Sequence, residues 1–568
     1  MEHKKEIEKL LNKETGEESN LETPPSRELG DFAFPCFGLA KKFKKNPVEI
    51  ARELKEKLEG KLKFVEMINA KGAYLNFFVE KKGVVKEVLN EIFKKGESYG
   101  SEKEKKKILV EFPAPNTNKP LHIGHVRNIC LGQSISNILE FFGNKAVRVN
   151  LNNDRGIHIC KSMLAYQKFG QDKTPEKIKK KSDHFVGDYY VMFNEKAKLD
   201  PNLEIEAFEM LKKWENNDKE VRKLWKKMNN WALDGFNETY KKFNLRFDRV
   251  YNESEFWDKG KEIVMEGLKN GVFRENKDGN IIAELGGLGE KVLLRSDFSS
   301  IYMTQDLYLA KLRHEQYKFD KCIYVVANEQ DYHFKALFRI LKLLKWNFWN
   351  KLHNLAYGYV NLPEGRMKSR EGKVVDADDF INEIFKLTEK EIKKRYKSLS
   401  KKETEKRVRS IGMGALRFFM LKHDVKRDFV FNPDESISFD GETGPYVQYA
   451  YARICSILRK NPFRKSVHGK GRADKINLEL LKEQFGLVKK LEEFKFVVRD
   501  SADFLNPALI ARYLFELSQE FNNFYRDFPV LKAESKELVK ARVSLIKAVK
   551  IVLENGLRVL NIDAPEKM

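Results

Sequence analysis

The chain has 568 residues, of which 42% are hydrophobic, and 107 Lys and Arg stand against 84 Asp and Glu, giving a net charge of +23. That length exceeds one core, so roughly two to four domains are expected, and 41 Phe with 20 Tyr supply enough apolar surface to exclude global disorder. The positive excess points to a polyanionic partner (nucleic acid, a membrane surface or phosphates) or to a lysine-rich solvated surface.

Residues 1–97 mix a charged helical pattern, NPVEIARELKEKLEG, with the short apolar strand AYLNFFV, and read as an α+β domain. The opening MEHKKEIEKL has no signal-peptide core, and no run approaches 18 consecutive apolar residues, so no membrane association and a cytoplasmic location are expected. The cysteines, Cys36, Cys130, Cys160, Cys322 and Cys455, are never spaced C-x-x-C, which argues for a reducing compartment and against a cysteine-built zinc site.

After the lysine run KEKKKILVEF, residues 105–400 alternate short apolar strands with helices. ILVEF, the helix HIGHVRNICLGQSISNILEFF and the strand KAVRVNLNN make a βαβ unit of a Rossmann-type parallel sheet, and CIYVVAN is a further buried strand. The polar helical stretch from about 172 to 246 reads as an insertion into this α/β domain. From 405 to 568 the pattern is helical almost throughout, giving an all-α C-terminal domain.

The stretch KPLHIGHVRN sets His122 and His125 three apart at the start of the helix that follows the first strand. Ligands of α/β sheets sit at the carboxyl ends of strands, where a helix N-terminus offers free N–H groups and a positive dipole end. Imidazoles on one face there can bond phosphate oxygens as charge builds, and Gly124 between them leaves room for a flat ring or a ribose. The rivals are a core helix and a metal site; the latter needs more ligands than the pair supplies. No protein-held metal is expected.

PAPNTNKPLHIGHVRN resembles the HIGH signature of class I aminoacyl-tRNA synthetases, in the extended form of the arginyl-tRNA synthetases. LPEGRMKSREGKVVDADD resembles a variant of their KMSKS signature, FDGETGPYVQYAYAR the opening of their anticodon-binding domain, and DAPEKM their terminus. GDFAF and GAYLNFFV are similar to the additional N-terminal tRNA-binding domain of that family.

The resemblance implies ATP-dependent attachment of L-arginine to tRNA(Arg) through an arginyl-adenylate, with Mg²⁺ accompanying ATP and tRNA needed for activation; a monomer is expected. It implies that His122, Gly124 and His125 bind ATP, with His122 and His125 catalytic. Aligned on Met367, Arg366 stands at the first KMSKS lysine and Ser369 at the second, usually catalytic one; Lys368 and Arg370 keep the segment cationic, and Lys119 is expected to substitute. For the planar guanidinium of arginine, which carboxylates match best, the resemblance places Glu111, Tyr302 and Asp306 in the pocket, with Asn116 and Gln330 at the α-amino end. Tyr446, Tyr449, Met568 and Asn76 fall at positions expected to contact tRNA.

Two nearer rivals and one of another class remain. A class I synthetase for another amino acid is disfavoured by two acidic pocket residues, and a small nucleotidyltransferase by the long helical C-terminus. A non-catalytic RNA-binding relative is disfavoured by the retained His122, Gly124 and His125.

Overall fold

A computed structural model describes residues 2–22, 24, 29–170, 172–361, 375–396, 398–463 and 476–568. Arg366, Met367, Lys368, Ser369 and Arg370, the expected second signature, lie outside the described residues.

The central part of the chain is built on five parallel strands: β1 (Lys107–Glu111), β2 (Lys145–Asn152), β3 (Arg249–Asn252), β4 (Lys321–Ala327) and β5 (Leu352–Tyr357). They lie in the order β5-β4-β1-β2-β3. The chain therefore builds outward from β1 to one edge and crosses to start again on its other side. The crevice between the carboxyl ends of β1 and β4 is the switch point of the sheet.

Both faces of the strands are buried. Ile108 and Val110 of β1 and Ile323 and Val325 of β4 join one core, while Leu109, Cys322, Tyr324 and Val326 join the other. This is why the strands read as continuous apolar runs rather than alternating ones.

On the first face lies α1 (Ile123–Phe141), buried along almost its whole length. It is buried on most sides, polar Arg127, Asn128 and Gln133 included, because sheet lies on one side and C-terminal helices on the other. Between β2 and β3 are inserted α2 (Ile157–Phe169), α3 (Ser182–Leu199), α4 (Asn202–Glu215) and α5 (Lys219–Lys242), which share their own core around Met163, Phe185 and Ala207. The helical insertion thus begins at Ile157, ahead of the 172 expected from polarity, because α2 is apolar enough to read as part of the sheet domain. A three-stranded antiparallel sheet over Arg274–Leu294, absent from the sequence reading, precedes α6 (Tyr302–Tyr317). The second face of the main sheet is covered by α6 and α7 (Asp331–Leu343).

Helix α8 (Ala377–Arg395) leads into the C-terminal bundle of α9 (Lys401–Leu421), α10 (Gly444–Arg459), α11 (Phe485–Asp503), α12 (Ala508–Asp527) and α13 (Lys536–Val559). The N-terminal part is a three-stranded antiparallel sheet with Tyr74–Val79 between Phe32–Pro35 and Val65–Lys71, backed by helices. Its core is continuous with that of the bundle and of α1. Tyr99 donates its hydroxyl to Leu491 O at 3.2 Å, and Asn555 Nδ2 donates to Gly96 O at 3.0 Å.

Two residues expected to contact tRNA are buried in this structure. Asn76 is only 4% exposed, because it lies in the central strand of the N-terminal sheet. Met568 packs into a buried cluster with Ile392, Ile411 and Ala452, and its carbonyl accepts the Tyr396 hydroxyl.

Candidate active site

A cavity of about 940 Å³ opens at the switch point. It brings together Glu111, Asn116, Lys119, His122, Gly124, His125, Tyr302, Asp306 and Gln330, every cavity residue expected outside the second signature. Strands β1 and β4 end on it, α1 and α6 begin on it, and α7 borders it.

The loop from β1 to α1 is shaped by side chains that bond its backbone. Ala114 sits at φ 53°, a region that a residue with a Cβ rarely occupies. Two bonds hold it there: its N–H donates to Asn150 Oδ1 at 3.1 Å, and its carbonyl accepts from Asn153 Nδ2 at 3.1 Å. Strain fixed in this way is common where a backbone must meet a ligand.

His122 is the N-cap of α1, with extended backbone, and the two histidines make a capping box of their own. His122 Nδ1 accepts the N–H of Gly124 at 3.1 Å, and His125 Nδ1 accepts the N–H of His122 at 3.1 Å. The ring centroids are 3.9 Å apart. With each Nδ1 used as an acceptor, the neutral rings must carry their proton on Nε2, so each presents an N–H donor.

Burial lowers His122 to about 4, helped by the Lys119 charge and opposed by Asp376; burial and the neighbouring His122 and Lys119 push His125 well down as well. Both rings are therefore neutral donors at physiological pH. Burial also lowers Lys119, while Glu329 acts in the opposite direction.

At the other end of the cavity the acids are not equivalent. Glu111 is 5% exposed and forms an ion pair with the fully buried Arg313 of α6. Burial raises Glu111 against the pull of Arg313, and the guanidinium itself is held charged. A buried pair of this kind leaves little net charge for a ligand. Asp306 is half-buried and its Oδ2 lies 2.6 Å from His333 Nε2. Tyr302 and Asp306, four apart, share one face at the start of α6, and Tyr302 is 58% exposed.

Arg313 and His333 were missed in the sequence. Arg313 could have been found as a lone cation on the buried face of α6, and His333 lies beside Gln330 in NEQDYH. Tyr357 and Tyr359 also line the cavity, the former with its hydroxyl 3.4 Å from Gly124 O. Tyr446 and Tyr449 lie apart, half-buried on α10. Tyr446 accepts from Asn522 Nδ2 at 3.0 Å, and Arg453 lies over the Tyr449 ring at 4.7 Å.

The arrangement can bind a phosphorylated nucleotide at one end, through two neutral N–H donors and a lysine, and a compact cation at the other.

Residues 87–433 match the family described as tRNA synthetases class I (R), catalytic domain; residues 447–568 match the DALR anticodon binding domain; and residues 2–79 match the arginyl tRNA synthetase N terminal domain. The chain is 47% identical over 564 residues to an arginine–tRNA ligase of Treponema denticola, covering 97% of this chain and 95% of that one. It is 43% identical to one from Bacteroides fragilis, covering 95% and 94%. The solved arginyl-tRNA synthetase of Thermus thermophilus is similar along the whole of both chains, with a TM-score of 0.79 and 26% identity.

Proposed function

This chain belongs to the arginine–tRNA ligases of class I, and from that premise we propose which of its residues carry each step. The enzyme attaches L-arginine to tRNA with ATP, through an arginyl-adenylate. One arginine carboxylate oxygen attacks the α-phosphorus while the bond to the β-phosphate breaks and pyrophosphate leaves. A ribose hydroxyl of the terminal tRNA nucleotide then attacks the arginyl carbonyl, and AMP leaves.

His122 and His125 donate Nε2–H to phosphate oxygens where charge develops, which stabilises the transition state without a proton changing hands. Lys119 supplies the cation that Ser369 cannot. Gly124 lets the nucleoside approach the backbone, and Arg366, Met367, Lys368, Ser369 and Arg370 meet the outer phosphates. Bound with ATP, Mg²⁺ would neutralise phosphate charge, and the ligands would be mostly phosphates and water rather than residues of this chain.

Asp306 is the carboxylate that selects the guanidinium, with Tyr302 beside it. Glu111, already paired with Arg313, shapes the pocket floor. Asn116 and Gln330 take the α-amino end. Residues 1–97 form the additional tRNA-binding domain, 105–400 the catalytic domain and 405–568 the anticodon-binding domain, where Tyr446 and Tyr449 meet bases. In this reading the protein acts as a monomer. No helix among the described residues is long and apolar enough to cross a membrane.

The observation that carries this reading is the convergence of neutral imidazole donors and Asp306 on one cavity. ATP–pyrophosphate exchange tests it: exchange is expected only with arginine plus tRNA, and Asp306→Ala is expected to raise KM for arginine about 100-fold or more while KM for ATP stays within about threefold. Exchange with another amino acid, or equal shifts in both KM values, would refute it.

A further inference from the structure

Asp376 stands where three parts of the chain cross. Its backbone forms an antiparallel bridge with His122; Ile123 N–H donates to Val375 O at 3.2 Å and Ala377 N–H to Leu121 O at 2.9 Å. Its two carboxylate oxygens do different things. Oδ1 caps α8, accepting the N–H of Asp378 at 2.7 Å and of Asp379 at 3.2 Å. Oδ2 lies 3.2 Å from Nε2 of His184 on the insertion helix α3.

Behind this pair, Asp378 accepts from Lys181 at 2.6 Å, Lys242 at 2.5 Å and the Thr239 hydroxyl at 3.1 Å, and lies 3.5 Å from His184. Asp183, His184 and Asp378 are close enough to share a cation. Lys181 already bridges Asp183 and Asp378, so the chain neutralises that cluster with its own lysines. Burial alone would lower His184, but Asp376 and Asp378 raise it to about 10, which keeps the ring charged. The Asp376 charge also acts on His122, against the effect of burial.

We infer that Asp376 and His184 are positioning residues for adenylate formation: they tie the helical insertion to the HIGH turn and hold both imidazole N–H groups toward the nucleotide. This rests on the assignment of His122 and His125 to the phosphates. A helix cap needs only Oδ1, so a second, charged oxygen turned to the insertion goes beyond what the start of α8 requires. Asparagine at 376 retains the capping oxygen and removes the charge, which separates positioning from folding.

The test is arginine-dependent ATP–pyrophosphate exchange by the full chain in the presence of tRNA. Asp376→Asn and His184→Gln are each expected to lower kcat about tenfold, with KM for arginine within about twofold and the melting temperature within about 3 °C. The double variant is expected to fall no further than the weaker single, as for two members of one contact. Single variants within about twofold of the parent in kcat, losses that multiply in the double, or a parallel rise in KM for arginine would each overturn the inference. The parent is measured alongside: if it shows no arginine-dependent exchange, the ligase reading fails and takes the inference with it, whereas an active parent confines a negative result to Asp376 and His184.

Discussion

His122 and His125 show how two bonds choose a chemical form. Because the backbone N–H groups of Gly124 and His122 occupy Nδ1, protonating either ring would break a bond in the helix cap as well as bury a charge. The folded value for His122, about 4, lies below the usual 6.5, so the unfolded chain takes up protons first as pH falls. Stability is therefore lost between about pH 6.5 and 4, and none is gained from these rings above that window. Adenylate formation, measured in single turnover, is expected to show no histidine-like break near pH 6.5; a break there that disappears in His122→Asn would show that a charged ring is used. The histidines, Lys119, Asn116 and Asp306 were legible because each falls in a motif or at helical spacing. The partner of Glu111 was not: Arg313 lies far along the chain and meets it only because α6 packs under the strand carrying Glu111. The burial of Asn76 and Met568 could not be read for a related reason, since polarity and a terminal position say nothing about which strand is central or what a chain end packs against.

At the level of elements, the parallel sheet could be read because its strands are apolar on both faces. The short strands of Arg274–Leu294 could not, because four- and five-residue antiparallel segments carry too little periodicity. Helix α1 gave a helical pattern but not its surroundings. Gly132 marks how closely it lies on the sheet: a Cβ there would collide with the ring of Phe112, just past the end of β1. Gly132→Ala is expected to destabilise the protein by about 1–3 kcal/mol, because both the ring and the helix are buried. Thermal or urea unfolding of the variant checks this, and an unchanged transition would show that the loop after β1 yields. The same packing sets the height of the HIGH turn over the carboxyl end of β1, so catalysis is expected to fall with stability in that variant.

For the whole molecule, the net charge of +23 has a direct consequence for tRNA. Each phosphate neutralised releases counterions, so affinity falls steeply with salt; for about six contacts the loss between 50 and 200 mM is about 10³-fold. KM for tRNA is expected to follow that slope while KM for arginine, set inside the cavity, hardly moves. A shallow slope would mean that the lysines serve mainly as a solvated surface.

The continuous core has one more implication. Ser134, midway along α1, donates its hydroxyl to Val559 O at the end of α13 at 3.2 Å, so the last long helix of the chain lies directly on the rod whose other tip carries the histidine turn. Exchanging this bundle for one from a distant relative would therefore be a transplant into the back wall of the catalytic centre rather than a change of attachment, and a graft that ignored the underside of that rod would spoil chemistry and anticodon reading at a stroke.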